Sequence, residues 1–138
     1  MINQKSQEEI KAYLAKARTY WNIVGEANFK KLIDDFYDGV KEDEVLRPMY
    51  PEEDLSGAKE RLYLFIIMYF GGPSTYWEKR GHPALKARHR PFKVDERAQK
   101  RWMFNMGQAM KKNPMDQEAK EFIMEYFRDT AVFLRNSE

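Results

Sequence analysis

His89 stands between Arg88 and Arg90 and is followed by Pro91 and Phe92, in a stretch from Gly71 to Phe92 that holds both histidines and three of the six prolines. An imidazole asks for one partner at each ring nitrogen, and guanidinium groups this close to it must reach solvent or an anion. A bound haem meets both demands, since its iron takes an imidazole and its propionates take arginines. A single helical turn ending at His89 puts one ring nitrogen within reach of the Leu85 carbonyl and leaves the other for a metal. By spacing alone, a surface or helix-capping histidine is the competing reading. His82, between Gly81 and Pro83, reads better as a cap over that short turn than as a ligand. A zinc site shared by the two histidines is weak: a proline lies between them and no third ligand of fitting geometry is near.

The elements that must position these groups are helical. Ser6 with Glu9 forms a capping box, followed by Ile10, Tyr13, Leu14, Ala17 and Tyr20 on one face, until Gly25 breaks the helix. Phe29, Leu32, Ile33, Phe36, Tyr37 and Val40 make a second apolar stripe. A short helical turn through Val45 and Leu46 is expected to end near Pro48, and Tyr50-Pro51 opens a loop. A helix from about Leu55 to Phe70 ends in an unbroken apolar run from Leu62, which implies burial on more than one face, and Gly71-Gly72-Pro73 terminates it. A strand competes for that run, but the lead-in from Gly57 to Arg61 favours a helix. Asp95 caps a helix carrying Ala98, Trp102, Met106 and Ala109 inward. Asn113-Pro114 is expected to cap and open the last helix, with Phe122, Ile123, Tyr126, Phe127, Phe133 and Leu134 inward. No strand-like alternation appears, so the fold class is all-α, with around six helices and a loop-rich stretch between Gly71 and Val94.

Composition narrows the chemistry. The 138 residues suffice for one domain with a real core, rich in aromatics and methionine. The absence of cysteine removes disulfides, thiolate nucleophiles, iron–sulfur clusters and c-type haem attachment. The net charge of +2 is spread too evenly to argue for nucleic acid. No apolar run is long enough to span a bilayer, and the N-terminus has no apolar signal-peptide segment, so a cytoplasmic location is the expectation.

The elements Gly71-Gly72-Pro73, Thr75-Tyr76, Arg80-Gly81-His82-Pro83, Leu85 and Arg88-His89-x-Pro91-Phe92 resemble, in order and spacing, those of the group II truncated haemoglobins. The similarity covers about Ile23 to Ser137 and is strongest between Val45 and Trp102. It implies a truncated-globin two-over-two helical sandwich whose proximal helix is reduced to one turn. It also implies a five-coordinate b-type haem (iron protoporphyrin IX) with His89 as the proximal iron ligand. Residues 1–18 precede the usual start of the family and are expected to form an N-terminal helical extension, packed on the core or supporting a homodimer. Residues 19–138 form the globin domain. Family members carry two glycines between their first two helices, whereas this chain has Val24-Gly25-Glu26.

On the distal side, the resemblance implies that the Trp102 indole and the Tyr37 and Tyr50 hydroxyls donate to a bound ligand. Ala58 falls where many globins carry a distal histidine, and Leu62 lies one turn later. Without the resemblance, Trp102, Tyr37 and Leu62 read as plain core. Arg61 and Arg88 are the candidate propionate partners, with a Tyr76 hydroxyl beside them. Phe65, Leu85 and Phe92 complete the expected cofactor contacts.

Three functions remain open at this point. The first is reversible binding of dioxygen and other small gases (CO, NO), with several buried donors slowing oxygen release, which suits sensing or chemistry better than delivery. The second is a redox enzyme on the same haem, converting nitric oxide to nitrate or reacting with peroxide. No dinucleotide fingerprint is present, so a reductase would be a separate protein. The third is a haem-free all-α interaction module that uses the basic loop for docking.

Overall fold

The computed structural model describes residues 6–51, 53–90 and 93–136, and all its regular elements are helical. In chain order these are α1 (Gln7–Ala17), α2 (Tyr20–Val24), α3 (Glu26–Lys41), a 3-10 turn (Arg47–Met49), α4 (Ser56–Tyr69), α5 (Thr75–Arg80), α6 (Leu85–His89), α7 (Glu96–Lys111) and α8 (Gln117–Leu134). The expectation of around six helices is too low, because the chain also breaks at Arg18–Thr19 and folds two short helices between Gly71 and Val94.

The capping box forms: Ser6 Oγ accepts from the Glu9 N–H at 3.2 Å, and the Glu9 carboxylate accepts from the Ser6 N–H. Ile10 remains 46% exposed, so contact with the core falls to Ala17, Tyr20 and Tyr13, which stacks on Phe122 of α8 at 5.0 Å. The bend from α2 to α3 is made by Gly25 alone, at φ +89°, so one glycine serves where two are usual.

All six apolar positions named on α3 are buried. This helix lies against α4 and α7, and α7 lies against α8, giving two helix pairs stacked two over two. The α4 run meets neighbours on several sides, with Phe65, Ile66 and Ile67 buried, as is Phe70 beyond its end. Gly71 then turns the chain at φ +100°, where a Cβ would collide with the Arg18 carbonyl oxygen. The glycine is required both by its backbone angle and by this close approach.

Two expectations for the C-terminal half need correction. The last helix is capped by Asp116, whose carboxylate accepts from the Ala119 N–H at 2.8 Å, and not by Asn113. The buried Asn113 side chain donates to the Asn28 carbonyl at 2.8 Å and accepts from the Met115 N–H at 3.1 Å, so it serves the junction with α3. Phe133 is 51% exposed, with the Lys86 ammonium over its ring, and does not face the core. No helix among the described residues is long and apolar enough to cross a membrane.

Candidate functional site

A cavity of about 510 Å³ opens between α3, α4, α6, α7 and α8. Tyr37, Tyr50, Ala58, Leu62 and Trp102 all line it, although they come from distant parts of the chain. Arg61, Phe65, Tyr76, Leu85, Arg88 and His89 line it as well. Phe92 and the preceding Pro91 lie outside the described residues.

His89 is half-buried at the end of the single turn α6. Its Nδ1 lies 2.7 Å from the Leu85 carbonyl oxygen. A carbonyl can only accept, so Nδ1 carries a proton, and in the neutral ring that leaves the lone pair on Nε2. Asn136 steadies the far side of the turn, donating from Nδ2 to the His89 carbonyl at 3.3 Å. Its Oδ1 accepts from the Val94 N–H, and its own N–H donates to the Val94 carbonyl, both at 2.8 Å. His82 Nδ1 accepts from the Ala84 N–H at 3.0 Å, at the entrance to α6, and its ring is not part of the cavity wall.

On the opposite wall Trp102 is wedged between Phe36 and Phe127, with ring centroids 4.9 Å and 5.3 Å away. Tyr37 and Tyr50 meet edge to face at 5.9 Å. The Tyr37 hydroxyl donates to the Ala58 carbonyl oxygen at 3.3 Å, which modifies the expectation that it serves the pocket. An alanine at position 58 leaves that helix carbonyl accessible to a side chain from α3.

Arg88 borders the cavity as expected, yet its guanidinium is bonded to backbone carbonyls of its own segment, led by Pro83 O at 2.7 Å. Arg80, which also lines the cavity, escaped the sequence reading, although it belongs to the motif Arg80-Gly81-His82-Pro83. Tyr126, Phe127, Thr130 and Leu134 bring α8 to the wall, and Gln99 adds an amide from α7. Burial pushes the Tyr126 phenol well above its ordinary pKa, so it stays protonated.

A second residue escaped the sequence reading altogether. Asp43 is buried and accepts from the Val45 and Leu46 N–H groups (2.9 and 3.0 Å), Arg101 Nε (2.9 Å) and Asn105 Nδ2 (2.8 Å). It thereby ties the segment leading to Tyr50 to Arg101, beside Trp102 on α7, and to Asn105 one turn further along. Burial raises its pKa, but these donors more than offset that and hold the carboxyl at about 2.

Comparison with known proteins agrees with this architecture. Residues 18–136 match the family model described as bacterial-like globin. A group 2 truncated haemoglobin of Bacillus subtilis is 33% identical over 116 residues, covering 84% of this chain and 87% of that protein. Among solved structures, a thermostable haemoglobin from Thermobifida fusca superposes with a TM-score of 0.80 at 40% identity, covering 90% of this chain and 96% of that one. The group II truncated haemoglobin of Bacillus anthracis superposes with a TM-score of 0.81 at 34% identity, covering 86% and 95%. The chain belongs to the bacterial-like globins, a haem-binding family, in the group II truncated haemoglobin branch.

The cavity suits the group that this family carries. A porphyrin is a flat apolar disc with a metal at its centre and carboxylates on one edge. The volume lies in the range of a large ligand site, the walls are mainly aromatic and aliphatic, and one imidazole and three arginines interrupt them.

Proposed function

We propose that the chain holds a b-type haem on His89 and binds dioxygen and other small diatomic ligands in the space walled by Tyr37, Tyr50, Ala58, Leu62 and Trp102. The observation that carries this reading is the 2.7 Å contact between His89 Nδ1 and the Leu85 carbonyl, because it presents Nε2 as a metal ligand within a large apolar cavity.

Haem, when bound, supplies an iron that takes diatomic ligands. The protein's own contribution is distributed around it. The Leu85 carbonyl orients the His89 ring and holds its Nδ1–H. Arg61 and Arg80, both on the cavity wall, would pair with the haem carboxylates. The aromatic walls keep water out, so that a hydrogen bond to the ligand has no competing solvent. The Trp102 indole N–H is donor-only, so it favours a ligand that gains negative charge on binding.

The test is an absorption spectrum of the purified protein, as isolated and after titration with haemin, beside His89→Ala. A Soret band that responds to dithionite and carbon monoxide, and changes in the variant, is the expected result. A folded protein that takes up no haem would overturn the reading and leave the interaction module as the better account.

A further inference from the structure

We infer that Arg88 is a positioning residue for His89: its guanidinium gathers the carbonyls of the preceding turn and so fixes the angle at which the imidazole enters the cavity. The inference rests on the haem site proposed above, and the experiment below separates the two.

Three contacts define the clasp. Arg88 Nε donates to the Pro83 carbonyl at 2.7 Å, and Nη2 donates to the Arg80 carbonyl at 3.1 Å and the His82 carbonyl at 3.3 Å. His82 and Pro83 lie in the link between α5 and α6 and Arg80 is the last residue of α5, so the three acceptors converge only because the chain turns back there.

Besides Arg88, the link is held by the Ala84 N–H on His82 Nδ1 at 3.0 Å and by an edge contact of the His82 ring on Trp77 at 5.9 Å. Gly81 leaves α5 at φ +74°, and Pro83 has no N–H to give. Ala84 sits in the left-handed region at φ +43°, which an alanine avoids unless its surroundings impose it. Helix α6 has only five residues, too short to be stable by itself. The Leu85 carbonyl orients the ring within α6, and the placing of the turn as a whole must come from ties to its surroundings. Asn136 supplies one from the C-terminal side, the packing of α6 on α8 with Lys86 over Phe133 supplies another, and Arg88 supplies one from the N-terminal side.

The chemistry requires arginine in particular. A guanidinium is a rigid planar fork that can serve several carbonyls at once, whereas a lysine ammonium is a flexible point charge. Pairing with a haem carboxylate, the alternative use of Arg88, needs the charge and tolerates lysine far better. The two roles therefore separate in a single conservative substitution.

The experiment compares wild type, Arg88→Lys and Arg88→Ala as haem-loaded proteins, with circular dichroism to show that all three fold. The readouts are the iron–imidazole stretching band of the ferrous form by resonance Raman, and amide hydrogen exchange across residues 81–89. A positioning role predicts that both variants shift or broaden the band and speed exchange in this segment by about tenfold, lysine giving no rescue. Two results would overturn it. In one, Arg88→Lys keeps the wild-type band and exchange while Arg88→Ala does not, which assigns the charge and not the fork. In the other, neither variant differs from wild type. If wild type takes up no haem, the proposed function falls, and exchange in the haem-free chain decides the clasp by the same comparison.

Discussion

Tyr37 on α3 donates its hydroxyl to the carbonyl oxygen of Ala58 on α4, at 3.3 Å and out of contact with solvent. The bond links the two helices that form one wall of the cavity. It also commits a hydroxyl that would otherwise rank beside the Trp102 indole as a donor to a ligand.

The two residues should therefore respond differently to deletion of their donors. Tyr37→Phe is expected to cost no more than about 1 kcal/mol in stability and to speed dioxygen release less than about threefold. Trp102→Phe is expected to speed release by about tenfold or more. Stopped-flow displacement of dioxygen by carbon monoxide measures both, and a Tyr37 effect as large as that of Trp102 would contradict the assignment.

Asp43 gives the fold an acid-sensitive point. Its carboxyl is held at about 2, below the ordinary 3.8, so the folded state binds this proton less readily than the unfolded chain. The resulting stability is fully present above about pH 4 and is lost as pH falls through about 2. The shift corresponds to about 2 kcal/mol. Asp43→Asn should lower stability at pH 7 by about 2–3 kcal/mol and flatten the dependence between pH 4 and 2. Urea unfolding of both proteins at pH 7, 4 and 2 checks the sign and the window.

Two glycines at positive φ should differ in their tolerance of alanine. At Gly71 the new Cβ meets the Arg18 carbonyl, and Gly71→Ala is expected to cost roughly 2–4 kcal/mol. At Gly25 (φ +89°, ψ 153°) a Cβ meets nothing within 4 Å, so Gly25→Ala should cost only the backbone penalty of that glycine region, about 1–3 kcal/mol and less than at Gly71. Chemical denaturation resolves the difference, and equal costs would show that the Arg18 approach relaxes freely.

Asn136 ties the C-terminal end of the chain to the turn that carries His89. Asn136→Ala removes both side-chain bonds, to the His89 carbonyl and the Val94 N–H, and should cost about 1 kcal/mol. Haem loss to an excess of a scavenging globin should quicken by about threefold. An unchanged rate would show that the turn is set without the C-terminus.

Local sequence carried much of this architecture. The spacing of Leu85 and His89 made their contact legible, since a helical turn brings such a pair together whatever surrounds it. The Ser6–Glu9 box and the α3 stripe were legible for the same reason. Asp43 was not, because within Lys41-Glu42-Asp43-Glu44 it looks like any solvated acidic loop residue, and its partners lie 58 and 62 positions away. The Asn113 error has a similar origin: an asparagine before a proline is a good local cap, but a buried amide reaching Asn28 is a tertiary fact. Phe133 was assigned inward by type, yet the helix phase turns it outward beneath Lys86. At Arg88 the charge suggests an anion, and the carbonyls that Nε and Nη2 meet could not be read from residue type.

The long separation between Asp43 and its partners also bears on how the chain is made. Synthesis proceeds from the N-terminus, so Asp43 and Tyr50 leave the ribosome well before Arg101 and Asn105 exist. Until α7 follows, the acidic loop keeps its water and the stretch toward Tyr50 has no fixed place against α3. One wall of the cavity thus waits on the later half of the chain. A nascent chain stalled before α7 would hold α3 and α4 without the anchor that ties the Tyr50 segment to α7.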